Sequence, residues 1–403
     1  MTSTDIDAVA APTARLLQEL TQTTGFSDAT LVASAPDTIR LLAGVPDRSA
    51  LPTDAFARAY GRLQHDPDRL IEGFQYSNAQ GIPELREWIA TREGVSADRI
   101  LVTAGGQHGL SLVVRAFVDE GDLVAVDNPI WPLFLGILEL KSRNILPIPV
   151  EADGIDVSAL EQQLRAGRRI RALYTVPDFH NPTQGSLSEE KRRHLVRLAD
   201  EYGFWLIADN PYRELHFGER GLDTSVFHES PNTVHVNTFS KTLGPGLRLG
   251  WIVLPERTVA DVVRLRNRND SQTSTLTQTL VAEVLNGEPA FFDDNLVRAR
   301  SLYRSRAEGL VAALDRHLPG AFETTVPSGG YFLWARLADD SADWQELYAR
   351  AAEHGLSYQP GAFFASGPGT DADRHLRLAY GDNTVERIDE GVERLAAAYH
   401  SLS

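Results

Sequence analysis

The sequence predicts an α/β fold in which a mostly parallel, seven-stranded sheet carries helices on both faces. Short apolar runs alternate with helical patterns between residues 100 and 255. Polar clusters follow the ends of these runs, and the pattern changes to a long helix after residue 290. We therefore expect a large α/β domain and a smaller α+β domain built from the N- and C-terminal segments.

The predicted strands are short and rich in branched apolar residues, which suits strands buried on both faces. They cover residues 99–103, 123–127, 145–150, 170–176, 204–209, 233–237 and 247–253. Helical spacing of apolar residues lies between them, at about 108–118, 156–166 and 187–202. In parallel sheets of this kind the ligand site lies at the carboxyl ends of the strands, where the polar clusters are.

The second unit follows a long helical pattern from Leu296 to Leu318, which ends at a Pro-Gly pair. Another helix is predicted near residues 341–354, and a short amphipathic helix at 12–20 is expected to pack with this unit. The predicted organisation is an N-terminal segment at 1–50 that joins the small domain, a large domain at 51–292, and the small domain at 293–403.

The composition excludes several classes of protein. The formal net charge of −16 argues against nucleic-acid binding, which needs a basic face. The sequence contains no apolar run of membrane-spanning length. The absence of cysteine excludes disulfides, thiolate metal sites and cysteine nucleophiles, and no other metal site is predicted. The first residues include acids and no basic segment, unlike a secretory signal, so we expect a cytoplasmic protein.

The chain has three lysines and 36 arginines, and Lys241 has unusual surroundings. Residues 238–251 read TFSKTLGPGLRLGW, so this lysine lies among hydroxyls, glycines and one arginine after an apolar strand. A desolvated lysine can lose its proton and condense with an aldehyde, which an arginine does not do. A codon bias towards arginine would explain the scarcity of lysine but not this setting.

Residues 238–251 resemble the lysine motif of the fold-type I pyridoxal-phosphate enzymes, the aspartate aminotransferase superfamily. The resemblance implies pyridoxal 5'-phosphate as the cofactor, with Lys241 as the residue that forms the aldimine and later acts as the base. It also implies that Thr238, Ser240 and Arg248 bind the cofactor phosphate, because arginine offers a permanent charge and a planar fork of donors.

Two further segments match the same family. Residues 104–108, AGGQH, lie between a strand and a helix, where Gly105, Gly106 and Gln107 would donate backbone N–H groups to the phosphate. The family usually has a hydroxyl residue at or beside position 106, so glycine is a departure there. Trp131, in the segment NPIW, matches the aromatic residue that stacks on the cofactor ring.

Asp209 ends the apolar run FWLIAD and matches the carboxylate that pairs with the pyridine nitrogen. Tyr212 and Asn181 match the two donors to the phenolic oxygen. Gln184, in HNPTQG, stands where many family members have glycine. Glycine at position 185 suggests a turn shifted by one residue.

The substrate residues are also implied by the resemblance. Arg377, in HLRLAY, matches the arginine that clamps the substrate carboxylate, together with Asn181 and the backbone at Gly44. Tyr76, in FQYS, resembles the tyrosine that reaches the phosphate of a partner subunit. The family therefore implies a homodimer with shared active sites.

The matches are most similar to 2-aminoadipate-type aminotransferases and to the aminotransferase-like part of MocR-type regulators. The resemblance implies ping-pong transfer of an amino group between an L-amino acid and a 2-oxo acid through the Lys241 aldimine. A lyase, a decarboxylase or an oxygen-dependent amino-acid oxidase would use the same residues and remains the alternative. An effector-sensing regulator is not favoured, because only about 37 residues precede the match and the charge is wrong for DNA.

Overall fold

The computed structural model describes residues 14, 17, 20, 37–218 and 223–402 and contains two sheets. The larger sheet has eight strands, which lie in the order β2-β9-β8-β7-β6-β3-β4-β5. These strands are β2 (Ile100–Thr103), β3 (Val124–Asn128), β4 (Ile145–Glu151), β5 (Gly154–Ile155), β6 (Ala172–Thr175), β7 (Trp205–Asp209), β8 (Thr233–Thr238) and β9 (Gly250–Val253).

Most neighbours in this sheet are parallel, as predicted. Strand β9 runs antiparallel to both β2 and β8, and the two-residue β5 is antiparallel to β4. The predicted α/β fold is confirmed, but the sheet has one strand more than the predicted seven. The extra strand is β5, whose two residues are too few to carry a periodic signal.

The smaller sheet has five strands in the order β1-β12-β13-β11-β10. They are β1 (Ile39–Leu41), β10 (Phe322–Glu323), β11 (Phe332–Leu337), β12 (Leu356–Pro360) and β13 (His375–Ala379). Strand β1 pairs in parallel with β12, so residues near the two ends of the chain share one sheet. The other pairs are antiparallel.

Thirteen α-helices are present in the described part of the chain. In chain order they are α1 (Thr53–Gln64), α2 (Pro67–Gly73), α3 (Pro83–Glu93), α4 (Gly106–Phe117), α5 (Pro132–Glu139), α6 (Val157–Arg165), α7 (Glu189–Tyr202), α8 (Val226–Glu229), α9 (Glu256–Asn269), α10 (Thr275–Gly287), α11 (Phe291–His317), α12 (Trp344–Glu353) and α13 (Val385–His400). Within the described ranges, none of these helices combines the length and apolarity that a membrane crossing requires.

Local chemistry fixes many of the helix ends. Helix α7 starts where the Ser188 side chain accepts from the Lys191 N–H, and two glutamates occupy its first turn. It ends at Gly203, whose φ of 70° is the left-handed conformation that glycine adopts freely. The predicted helix at 12–20 lies largely outside the described residues.

Candidate active site

Most of the predicted site residues meet at one edge of the large sheet, where its parallel strands end. A cavity of about 190 Å³ opens there between the strand ends and the start of α4. Ten of the predicted residues line it: Gly106, Gln107, Trp131, Asn181, Asp209, Tyr212, Thr238, Ser240, Lys241 and Arg248. Two larger clefts, of about 960 and 860 Å³, contain none of the predicted site residues.

Lys241 lies just beyond β8, with its side chain inside the protein. Its Nζ donates to the Gly44 carbonyl at 2.6 Å, and the Tyr331 hydroxyl donates to the Lys241 carbonyl at 2.6 Å. Burial, aided by the positive charge of Arg377, lowers the pKa of Lys241 to about 8. A lysine whose pKa lies this close to neutrality can act as a nucleophile and as a base.

Gly44 brings a backbone carbonyl to this amine because it has no side chain. A Cβ atom there would lie 2.4 Å from Cζ of Phe332. A larger residue at this position would have to displace the Phe332 ring, so the close approach favours glycine.

An anion site surrounds the N-terminus of α4. Gly105 precedes the helix with φ of 90°, and a Cβ atom on it would lie 2.8 Å from Nη2 of Arg248. The same guanidinium donates to the Ala104 carbonyl at 3.1 Å. Arg248 thus lies against the start of α4, where the N–H groups of the first helical turn and the helix dipole attract negative charge.

Two hydroxyls complete this end of the cavity. The Thr238 and Ser240 oxygens lie 2.9 Å apart, and Thr238 also donates to the Leu249 carbonyl at 2.9 Å. At Gly106, where the family usually has a hydroxyl residue, a Cβ atom would lie 3.6 Å from Cβ of Thr238. That separation is ordinary van der Waals contact, so the missing hydroxyl does not reflect a lack of space.

Asp209 ends β7 inside the protein, where it accepts a hydrogen bond from the Tyr174 hydroxyl at 2.9 Å. Burial raises the pKa of Asp209 to about 7, although the Tyr174 hydrogen bond and the charge of Lys241 both act in the opposite direction. Such a carboxylate gains from a cationic partner in the cavity. The sequence analysis missed Tyr174, whose only signal is a hydroxyl within an apolar strand.

Arg377 joins the site from the smaller sheet. Its Nη1 donates to Oδ1 of Asn181 at 2.8 Å, its Nη2 donates to the Leu42 carbonyl at 2.5 Å, and the Phe332 ring centroid lies 4.1 Å from its Cζ. Burial lowers the pKa of Arg377 to about 9. Burial also raises the pKa of Tyr212, while hydrogen bonding to Asn181 opposes that rise. Arg377, Asn181 and Tyr212 therefore form a polar group beside Lys241.

The two predicted aromatic residues have different surroundings. Trp131 lines the cavity and is half-buried, at the start of α5. Tyr76 does not join the other residues; it lies between α2 and α3 with 91% of its surface exposed. The single chain therefore leaves this tyrosine in solvent.

The turn at residues 180–185 corrects one expectation. Gln184 itself adopts the left-handed conformation, with φ of 59°, whereas Gly185 does not. The expected shift of the turn to Gly185 is wrong. Gly185 is needed for another reason, because a Cβ atom there would lie 2.6 Å from the Ala152 carbonyl oxygen.

The donors and charges of this cavity fit pyridoxal phosphate. One end offers a helix N-terminus, two hydroxyls and an arginine for a dianion, and the other offers an amine of lowered pKa. The buried carboxylate of Asp209 and the flat side chain of Trp131, which can contact a ring, also line the cavity. The fold and the residues of this site are those expected of the fold-type I family.

Comparison with known proteins specifies the family. The family model for aminotransferase class I and II matches residues 68–395. A 2-aminoadipate transaminase of Thermus thermophilus is 33% identical over 400 residues, which cover 98% of this chain and 95% of that protein. The chain belongs to the class I and II aminotransferase family and is a transaminase.

Solved structures agree with this assignment. An α-aminoadipate aminotransferase, LysN, from Thermus thermophilus, complexed with N-(5'-phosphopyridoxyl)-L-leucine, superposes with a TM-score of 0.83 at 32% identity, with 96% and 95% of the two chains covered. A Pyrococcus horikoshii kynurenine aminotransferase in complex with PMP superposes with a TM-score of 0.88 at 27% identity, with 96% of each chain covered. These relatives favour transamination over the elimination, decarboxylation and oxidation chemistry that the sequence had left open.

Proposed function

We propose that this transaminase binds pyridoxal phosphate through Lys241 and transfers an amino group from an L-amino acid to a 2-oxo acid by a ping-pong mechanism. The observation that carries the proposal is the buried amine of Lys241, with a pKa lowered to about 8, between the anion site and Arg377. When bound, the cofactor supplies an aldehyde and an electron-accepting ring that makes the substrate Cα–H bond acidic.

The residues around the cavity have separate tasks in this proposal. The phosphate would be held by the N-terminus of α4 together with Thr238, Ser240 and Arg248. Trp131 would cover one face of the cofactor ring. Asp209 would keep the pyridine nitrogen protonated. The raised pKa of Asp209, about 7, indicates a buried carboxylate that a cation would stabilise in its charged form.

Lys241 and Arg377 would act on the substrate. Arg377 would bind the α-carboxylate with its planar fork, a geometry that the contact with Asn181 supports. Once displaced by the substrate amine, the Nζ of Lys241 would take the proton from Cα, and a base with a pKa near the working pH is efficient in this step. Tyr212 and Asn181 would donate to the phenolic oxygen.

The lysine assignment is tested by Lys241→Ala. We expect transamination to fall by at least about 10²–10⁴-fold, the usual contribution of a general base. Borohydride reduction of the wild-type holoenzyme should attach the cofactor to the peptide that contains Lys241. Lys141→Arg is the control and should retain both activity and labelling. A labelled peptide from Lys141 or Lys191 would contradict the assignment.

The amino donor should be sought first among the substrates named for the relatives. A panel with 2-aminoadipate, kynurenine and aromatic amino acids, scored by the change in cofactor absorbance, would rank them. Adding 2-oxoglutarate or pyruvate should restore the original spectrum. A donor that discharges the cofactor without recovery by any 2-oxo acid would contradict the ping-pong scheme.

A homodimer with shared sites is part of the proposal. It is supported by the exposed Tyr76, which a second copy would cover if the tyrosine reaches the partner's phosphate. A cytoplasmic location remains a prediction from the composition.

A further inference from the structure

The loop at residues 178–186, which connects β6 to α7, has an unfavourable backbone. Four non-glycine residues in the described ranges have positive φ, and two of them, Phe179 at 50° and Gln184 at 59°, lie in this loop. Side chains disfavour this conformation, so it persists only where surrounding contacts hold it. Both side chains contact the segment that leads into and forms β11.

Gln184 bridges from the large sheet's loop to the smaller sheet with both ends of its amide. Its Nε2 donates to the Thr325 carbonyl at 3.0 Å, and its Oε1 accepts from the Trp334 N–H at 3.1 Å. A glycine at position 184 would relax the backbone but could make neither hydrogen bond. The chain therefore has a strained residue where its side chain spans the two sheets.

At the other end of the loop, Phe179 packs against the segment that leads into β11. Its ring occupies the space beside Gly329, where a Cβ atom would lie 2.5 Å from the ring, and it also lies against Gly330. The loop is thus held to the β11 region at two points, five residues apart.

Gln184 and Asn181 contact one cross-strand pair, or rung, of the smaller sheet, and this pair contains Arg377. Trp334 of β11 is the register partner of Arg377 in β13. Gln184 binds the backbone of Trp334, and Asn181, three residues earlier, accepts from Arg377 at 2.8 Å. The turn that carries Asn181 and Gln184 is therefore hydrogen-bonded to both members of the Trp334–Arg377 pair.

We propose that Gln184 is a positioning residue for the substrate carboxylate, because it fixes the Trp334–Arg377 rung relative to the turn that carries Asn181. The inference rests on the proposed role of Arg377. In this proposal the substrate carboxylate takes part of the Arg377 guanidinium from Asn181, which weakens the Arg377–Asn181 contact between the two sheets. The two hydrogen bonds of Gln184 then keep the sheets at the same separation.

Three substitutions separate the bridge from backbone strain. Gln184→Gly removes the amide and the strain, Gln184→Ala removes the amide alone, and Gln184→Asn keeps an amide that is too short to span both partners. We expect all three to raise KM for the amino donor by about three- to tenfold, equivalent to about 0.7–1.4 kcal/mol, with kcat changed less than about twofold. Gln184→Gly should melt at a higher temperature than Gln184→Ala, because glycine accepts positive φ.

Hydrogen–deuterium exchange of the holoenzyme gives a readout that does not depend on activity. We expect faster exchange across residues 325–334 in all three variants and unchanged exchange in α7. A Gln184→Gly enzyme with wild-type KM and wild-type exchange would overturn the inference. A raised KM without faster exchange at 325–334 would also overturn it, since the effect would then not pass through β11. If the wild type does not transaminate, the proposed function fails, whereas the exchange result still decides whether the bridge exists.

Discussion

At the residue scale, the Asp209–Tyr174 pair shows how a hydrogen bond favours the ionised form of a buried carboxylate. Burial raises the pKa of Asp209 to about 7, and the Tyr174 hydroxyl opposes this by donating to the carboxylate at 2.9 Å. Tyr174 is itself held by the Phe134 ring, stacked at a centroid distance of 3.6 Å. The hydroxyl therefore has little freedom to leave its partner.

Replacing Tyr174 by phenylalanine should raise the pKa of Asp209, because the carboxylate loses a donor. We expect the acid limb of the kcat/KM profile to move up by about half to one pH unit, as the net value of one hydrogen bond implies. Phe134→Leu is the comparison variant: it keeps the hydroxyl and removes only the ring that holds it, so the acid limb should move less than in Tyr174→Phe. Superimposable profiles for Tyr174→Phe and the wild type would contradict this role of Tyr174.

A second buried cluster combines Glu93, His228 and His235. The His228 Nε2 and His235 Nδ1 atoms lie 2.9 Å apart, and each lies within 3.7 Å of Oε2 of Glu93. Three such ligands could hold a metal ion. However, Nη1 of Arg213 lies 2.8 Å from the same Glu93 oxygen and already neutralises it. We therefore interpret the cluster as a structural ion pair with two neutral histidines.

The cluster should make the fold sensitive to acid. Burial, followed by the charges of Arg213 and Arg99, lowers the pKa of His228 to about 4, whereas the unfolded chain binds this proton near pH 6.5. The stability that the neutral His228 contributes is thus present above pH 6.5 and lost as the pH falls towards 4, by up to roughly 3 kcal/mol.

The measurement is the melting temperature of the holoenzyme at pH 7.5 and pH 5. In His228→Asn the difference between the melting temperatures at these two pH values should be smaller than in the wild type. The exposed His65 offers the control His65→Asn, which should retain the wild-type difference. Equal acid sensitivity in all three proteins would show that His228 does not titrate as described.

At the element scale, the long apolar strands were predictable and the chain turns between them were not. Strands β7 and β8 start and end within one residue of the predicted bounds, because their continuous apolar runs suit a buried parallel sheet. Strand β9 starts at Gly250 rather than at 247, because the chain forms a 3-10 turn at Pro245–Leu247 and Arg248 is left-handed. Its antiparallel direction follows from the short connection after β8.

The site was predicted from motif spacing, and its contacts required the fold. Lys241, Asp209 and Arg248 each stand in a recognisable pattern, and the structure brings them to one cavity. Tyr331, which binds the Lys241 carbonyl, and Tyr174 have no motif, because their roles depend on distant partners. The Gln184 contacts depend on the docking of two sheets, which no local pattern encodes.

The turn before α4 gives a matched pair of glycine substitutions. Gly105→Ala should destabilise the protein by about 1–3 kcal/mol, because only glycine adopts its backbone conformation readily and the new methyl would meet Arg248. It should also weaken the binding of pyridoxal phosphate. Gly106→Ala should leave both properties near wild type, since only ordinary contact with Thr238 follows. The checks are the melting temperature and the cofactor dissociation constant; equal effects of the two substitutions would contradict the description of this turn.

At the scale of the whole molecule, a group of large apolar residues is exposed near α2. Ile71, Phe74 and Tyr76 are 56%, 72% and 91% exposed, which is unusual for neighbouring residues of this type. A second copy of the chain would cover these side chains in the proposed dimer. The dimer would then supply Tyr76 to the site of its partner.

Hybrid dimers test this arrangement. Lys241→Ala and Tyr76→Ala homodimers should each have low activity, the first through loss of the base and the second through weak phosphate binding. After unfolding and refolding of a mixture, the hybrid has one site with the wild-type Lys241 of one subunit and the wild-type Tyr76 of the other. Activity should therefore recover in the mixture. No recovery, despite hybrid formation shown by native mass spectrometry, would exclude the shared site.

The scarcity of lysine has a practical consequence for immobilising this protein. The half-buried Lys241 points into the protein, where its Nζ donates to the Gly44 carbonyl. The other two lysines flank one strand of the large sheet: Lys191 pairs with Glu151 at the end of β4, and Lys141 lies before its start. Amine-reactive supports would therefore couple through these two side chains and the N-terminal amine. Covalently attached molecules should therefore share a small number of orientations, with the catalytic amine inside the protein and shielded from the reagent.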